Sequence, residues 1–412
     1  MVQSPATTND LHSVSFSDAN TAYAVGRNGT ILKTTNGGML WTMQTYGTMT
    51  TLRAVTFTDA NSGYAVGNFG TILKTTNGGT LWTSLTSGTL KSLYSVSFPD
   101  NNTGYVVGDS GIILKTTDGG TIWTSQNSGT SKTLYSIFFP SANIGYAVGD
   151  SGTILKTTNG GTLWTSQYSG TSNYLWSVHF PDENTGYAVG WNATILKTTN
   201  GGALWTIQNS GTFKYLLSVY FLDESSGYIG GEFGGILKTT DGGAHWTGQN
   251  SGTWEDICSV KFIDANTGYA VGHNGSTIST IDGNNWNAQN SGTYNHLTSV
   301  YFTDFNTGYT VGTNGTILKT TNGGGVGIAQ NLSTLNALKI YPNPSYNQIT
   351  IETSETPIQS QLYILNLNGQ QLFTRQIIQP KTVIDISNLT SGLYFVRLTT
   401  DKKVQVGKFS KQ

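Results

Sequence analysis

The chain has 412 residues, of which only 10% are charged, with a formal net charge of -1 and 52 glycines. That balance excludes a basic nucleic-acid face and a cationic membrane-binding stretch, leaving polarity to Ser, Thr, Asn, Gln and glycine turns. There is no apolar run long enough for a membrane helix and no signal-like segment after Met1, and Cys258, the only cysteine, reads as a buried free thiol.

Residues 11–44 set the pattern. Four short runs rich in β-branched and aromatic residues predict strand A at 11–16 (LHSVSF), B at 22–26 (AYAVG), C at 30–35 (TILKTT) and D at 40–44 (LWTMQ). The unit then recurs every 41 or 40 residues: Tyr23, Tyr64, Tyr105, Tyr146, Tyr187, Tyr228, Tyr269 and Tyr309 mark eight front halves. Trp41, Trp82, Trp123, Trp164, Trp205, Trp246 and Trp286 mark seven back halves. A four-stranded sheet apolar on both faces must stack on copies of itself, which predicts an all-β, eight-bladed β-propeller of four-stranded blades over 1–324. A seven-bladed ring is the alternative. The eighth copy has strands A to C (297–321) but Gly327 in the tryptophan position. Gln3 precedes Leu11 by the spacing that separates Gln44 from Leu52, so residues 1–4 are expected to supply the outer strand of the last blade and remove its exposed edge. The tryptophan due before Met1 is missing, which predicts a chain trimmed at its start.

The C-D turns begin at Asn36, Asn77, Asp118, Asn159, Asn200, Asp241 and Asp282, with Asn322 in the eighth copy. An Asx turn, glycines at positive φ and a buried indole, expected beneath the next blade, account for them without a ligand. The turn resembles the Asp-box, (S/T)-x-D-x-G-x-x-W, and the whole unit resembles the photosystem II stability and assembly factor-like propellers. The resemblance implies the fold and no single function, because Asp-box propellers include hydrolases, receptors and assembly factors. Copy seven has lost a residue and carries Asn284 for glycine, so a tighter turn is expected there. The D-x-N-x-G turns between A and B, at Asp18, Asp59, Asp100, Asp182, Asp223, Asp264 and Asp304, offer one carboxylate each and read as Asx turns rather than calcium loops. Strand C carries a lysine in seven copies, Lys33 to Lys319, read as solvated heads over buried stems.

In an up-and-down blade the near-identical A-B and C-D turns share one face, and the divergent B-C and D-A turns share the other. The candidate ligand rim is therefore Arg27, Phe69, Asp109, Asp150, Trp191, Glu232, Phe233 and His273 from the B-C turns. The D-A turns add Tyr174, Tyr215, Trp254, Glu255, Asp256 and Tyr294. Aromatics beside carboxylates and amides suit a glycan or a peptide. A sialidase needs three arginines, and the propeller has only Arg27 and Arg53. A glycoside hydrolase needs two placed carboxylates, for which Glu232 with Glu255 or Asp256 is the one pair to consider. HExxH, P-loop and GxSxG motifs are absent, so no catalytic residue, metal or cofactor is assigned. The expected protein is a monomeric binding or adhesion module, with a surface hydrolase or a structural display protein as alternatives.

A flexible linker is read over 325–336, and the period ends. Residues 337–412 alternate apolar and polar positions over about seven strands, predicting a small Ig-like β-sandwich. Tyr341-Pro342-Asn343-Pro344, the Asn368-Gly369 turn, Gly392-Leu393-Tyr394 and Lys408-Phe409-x-Lys411 resemble the type A C-terminal sorting domain of the type IX secretion system. The resemblance implies contact with that secretion machinery and a secreted or outer-membrane-surface location, with Pro342, Asn343, Pro344, Gly392, Tyr394, Lys408 and Lys411 as the sorting signal.

Overall fold

The computed structural model describes residues 7–18, 20–44, 48–304, 306–321, 338–352, 360–366, 371–399 and 404–412. The chain forms two compact units, Met1–Gly327 and Ile328–Gln412.

The first unit contains seven four-stranded antiparallel sheets and, among the described residues, a three-stranded eighth, each in chain order. In blade one strand A is Leu11–Phe16, B is Ala22–Gly26, C is Ile31–Thr34 and D is Thr42–Met43. Strand D is thus shorter than expected: Trp41 belongs to the turn before it. Every B strand is buried along its whole length, because both faces of GYAVG lie against neighbouring sheets. The A strands touch one another in a closed ring of eight, so they line the axis, and the short D strands lie outermost.

An aromatic bracket fixes each blade to the next. Tyr23 on strand B of blade one stacks on Phe57 of blade two at 3.9 Å and 16°, and its hydroxyl donates to the Gly78 carbonyl at 2.6 Å. Trp82 meets Tyr23 edge-on at 6.1 Å and 78°. The indole therefore packs against the preceding blade, not the following one as expected, because the tyrosine it meets reaches forward from that blade. The same hydroxyl bond recurs around the ring and ends with Tyr309 donating to Gly37 at 2.7 Å, from blade eight to blade one.

The glycine before each tyrosine makes room for this stack: a Cβ at Gly63 would lie 2.4 Å from Phe57 Cζ. Blade one has Ala22 there, and its Phe16 is displaced to a tilted 4.5 Å, 41° contact with Tyr309.

Residues 1–4, expected to complete blade eight, lie outside the described residues. From Thr7 onward the path is that of a D-A turn: a Cβ at Gly315 would meet the Thr7 carbonyl at 2.0 Å, as one at Gly70 would meet that of Thr89 at 2.0 Å. Asp10 then accepts the Asn314 N–H at 3.0 Å, as Asp256 accepts that of Phe233 at 2.9 Å.

In the second unit, strands Lys339–Tyr341, Gln348–Glu352 and Lys381–Asp385 form one sheet. Gln371–Ile377, Ser360–Leu365, Gly392–Thr399 and Val404–Lys411 form the other, in that order. Inward positions such as Ile349, Ile351, Leu362, Ile364, Val396 and Phe409 make one core, as period-two alternation requires.

Candidate functional site

The constant face is occupied by its own chain. Asn159 Oδ1 accepts the Thr157 hydroxyl at 3.0 Å and the Leu163 N–H at 2.9 Å, while Gly161 N–H donates to Thr157 Oγ1 at 2.8 Å. Asn36, Asn77, Asp118, Asn200 and Asp241 repeat this with one oxygen. A single accepting oxygen explains why Asn and Asp interchange. In copy seven Asp282 instead receives the N–H groups of Asn284 and Asn285, a tighter turn. The A-B turns are equally self-contained: Asp59 Oδ1 accepts from Asn61 and Ser62 at 2.7 and 2.8 Å, and the Asn61 N–H leads the bonds that hold its carboxyl below the usual range. Among the described residues no cluster of three His, Cys, Asp or Glu could hold a metal. The strand C lysines lie over the tyrosine rings of their own blades, Lys74 at 5.9 Å from the Tyr64 centroid.

The opposite face is built differently. Each B-C turn ties its first residue to the D-A turn before strand A: Trp191 N–H donates to Tyr174 O, Glu232 N–H to Tyr215 O and His273 N–H to Asp256 O, all at 2.9 Å. The second residue is left-handed in all eight copies, with φ between 48° and 56° at Asn28, Phe69, Ser110, Ser151, Asn192, Phe233, Asn274 and Asn314. Asn tolerates that region, whereas Phe does so only under strain. Phe69 and Phe233 are nevertheless 67% and 57% exposed. An exposed aromatic ring held in strained backbone fits a contact residue better than a packing one. Phe233→Asn is accordingly expected to raise stability by about 1 kcal/mol, read as a higher denaturation midpoint; an unchanged or lower midpoint would remove the strain argument.

The rim residues fall into separate groups. In blades four to six Trp191 stacks on Tyr174 at 4.8 Å and 19° and meets Tyr215 at 5.3 Å, while Trp176 approaches Tyr215 edge-on at 6.0 Å. Glu232 accepts the Tyr215 N–H at 3.4 Å, and Glu255 lends its carbonyl to Gly234 N–H. Asp256 is held by the Phe233 N–H and by His273 Nδ1 at 3.2 Å, and His273 lies 4.3 Å from His296. Arg27 pairs with Asp10 at 3.1 Å on blade one. Trp254 and Tyr294 project from successive D-A turns, 83% and 90% exposed, and Phe213, which the rim reading omitted, is 99% exposed at the equivalent position.

Sequence reasoning also missed the inner wall. The second residue of strand A, His12, Arg53, Tyr94, Tyr135, Trp176, Leu217, Cys258 or Thr298, varies as freely as the rim. Tyr94 donates to Asp109 at 2.9 Å, and Arg53 covers the Tyr94 ring at 5.7 Å and donates to Asn68 at 3.1 Å. Burial and then Asp150 push the Tyr135 phenol up, so it stays a neutral donor. Burial, with Asp256 second, pushes the Cys258 thiol up to about 11, which leaves it unreactive. The comparison of copies that exposed the rim would have found this wall had it included strand A.

In the tail the two ends of the segment expected to carry the sorting signal meet. Asn343 Nδ2 donates to the Lys408 carbonyl at 3.2 Å, and its Oδ1 accepts the Ser410 N–H at 3.0 Å. Gly392 pairs with Lys411 across the last two strands, and Tyr394 donates to Thr390 O at 2.7 Å. Pro342 and Pro344 flank Asn343.

Ring and bracket define an Asp-box β-propeller, and the tail is a small two-sheet domain of its own. Residues 2–86, 40–129 and 164–250 match the family Photosynthesis system II assembly factor YCF48, and together these matches span just over half of the chain. The chain belongs to that family. Residues 339–412 match the Secretion system C-terminal sorting domain, which marks the chain for type IX secretion to the cell surface or beyond and implies contact with that machinery. Among solved structures it is similar to YCF48 bound to D1 peptide, with a TM-score of 0.55 and 19% identity over 78% of this chain and 96% of that one. It is also similar to YCF48 from Cyanidioschyzon merolae, with a TM-score of 0.54 and 17% identity over 78% and 98%. A third is PorZ, a surface component of the type-IX secretion system of Porphyromonas gingivalis, with a TM-score of 0.50 and 14% identity over 95% and 64%. At these identities the likeness is one of fold. No curated protein matches the sequence.

Proposed function

We propose that the protein is an exported, non-enzymatic binding module that takes a polypeptide segment on the B-C and D-A rim of blades four to seven. The observation that carries this is the stack of Tyr174, Trp191 and Tyr215, continued by exposed Phe233, Trp254 and Tyr294 on the following turns. Rigid aromatic rings give contact area at low entropic cost. The peptide bound in a solved YCF48 supports the same choice of ligand. Of the carboxylates nearby, Glu232 is engaged by a backbone N–H and Asp256 by a backbone N–H and a histidine, which favours recognition over hydrolysis.

The test is a peptide and glycan array probed with the full chain and with a Trp191→Ala, Trp254→Ala double variant. Peptide binding weakened at least tenfold in the variant is expected. Binding of glycans alone, or of nothing, would overturn the reading, and polysaccharide cleavage lost in Glu232→Ala would replace it with a hydrolase.

A further inference from the structure

Each strand A runs along the axis from the aromatic rim to the constant face, so its fifth residue lies at the end away from the rim. That residue is small in blades one to three, where it is Ser15, Thr56 and Ser97. In blades four to seven it is Phe138, His179, Tyr220 and Lys261. In a closed ring of eight, blades one to three lie across the axis from blades five to seven, so the small side chains leave room opposite the large ones. Phe138 meets His179 at 5.0 Å, His179 meets Tyr220 at 5.5 Å, and the Lys261 ammonium lies 4.4 Å from the Tyr220 ring centroid. One continuous wall thus ends in a cation.

Two polar groups of this wall lack partners among the described residues. Lys261 is half-buried, yet no carboxylate pairs with its ammonium. The carboxylates that follow it and Tyr220 in sequence are turned onto their own backbone. Asp264 Oδ1 accepts from Asn266 and Thr267, and Asp223 Oδ1 from Ser225 and Ser226, all at 2.7 Å. The residues of this unit outside the described set include no Asp or Glu. His179 Nδ1 is buried and unpartnered. Burial, then the Lys261 charge, pushes the His179 imidazole down to about 4, and burial pushes the Tyr220 phenol up, so both stay neutral at pH 7. A cation held partly out of water without a counter-charge is costly. Beside a neutral imidazole and a phenol hydroxyl, it is what a small anion needs for charge-assisted hydrogen bonds.

We propose that this wall is an oxyanion site on the axis, with Lys261 supplying the charge and His179 and Tyr220 supplying neutral hydrogen bonds. It stands apart from the rim assigned to the polypeptide, and its occupancy does not depend on that assignment.

Calorimetric titration of the full chain with sodium phosphate and with sodium acetate, each matched in ionic strength by a sodium chloride blank, tests it. One saturable site is expected for at least one of the two anions, weakened more than tenfold by Lys261→Met and unchanged by Lys197→Met on strand C of blade five. Binding of phosphate alone would assign an inorganic oxyanion, and binding of acetate would assign a carboxylate. In chloride alone, Lys261→Met keeps the stem and drops the charge, so its denaturation midpoint should equal or exceed that of the unsubstituted chain. A lower midpoint would show that the ammonium is already satisfied and would overturn the proposal. So would absence of saturable binding, binding untouched by Lys261→Met, or an equal loss in both lysine variants.

Discussion

Replacing Trp205 by alanine is expected to destabilise the propeller by about 3–5 kcal/mol, the range for deleting a buried indole. Trp205 is only 4% exposed and stands edge-on to Tyr146 at 6.3 Å and Phe180 at 5.9 Å, one ring from each side of the blade interface. Its removal leaves a void between two sheets that cannot collapse, because Tyr146 remains tethered to the Gly201 carbonyl at 2.8 Å. Against a total of about 5–15 kcal/mol for a folded domain, that is a large share. Trp254→Ala, at a ring 83% exposed, is expected to change stability by less than about 0.5 kcal/mol. Denaturant midpoints of the two variants side by side distinguish structural from contact tryptophans. If Trp205→Ala melted with the unsubstituted chain, the bracket would not be what holds the blades together.

That contrast also marks how far the sequence could be read. Strands A and B of blade one were legible to the residue because both are apolar runs closed by turn residues. Strand D was not: LWTMQ looks continuous, yet the Leu40 N–H donates to Asn36 Oδ1 at 3.0 Å, which keeps the first two residues in the turn. The direction in which the indole packs was also hidden. A repeat implies that neighbouring copies touch, but the period is the same whether a residue faces forward or back. Only the Tyr23 to Gly78 bond, fifty-five residues apart, supplies the direction. At the site, the rim was legible as disagreement among copies. The inner wall escaped because strand A was taken as scaffold, although its second position meets wall and rim residues that themselves differ between copies, as Tyr94 meets Asp109 and Arg53. The pairings of Tyr94 with Asp109 and of His273 with Asp256 join different turns and strands, and spacing along the chain carries no trace of them.

Phe409→Ala is the substitution expected to abolish export. Phe409 is wholly buried in the core of the tail and stacks on Tyr394 at 5.5 Å. Truncating such a ring costs about 3–5 kcal/mol, and a sandwich this small buries too little surface to absorb the loss. The strand that holds Phe409 also holds Lys408 and Ser410, the two residues that clasp Asn343. Loosening it therefore separates Asn343 from Lys408 and Ser410 together. The full chain carrying Phe409→Ala should be retained inside the cell, with extracellular protein reduced more than tenfold, while the propeller keeps its denaturation midpoint. Asn343→Ala removes only the two clasping bonds, which are exposed and worth about 0.5–1.5 kcal/mol each at most, and should leave an intermediate level of export. Equal secretion of both variants and the unsubstituted chain would mean that the machinery reads the terminal residues as a linear tag. A graded loss, deeper for Phe409→Ala than for Asn343→Ala, would mean that it reads the folded clasp.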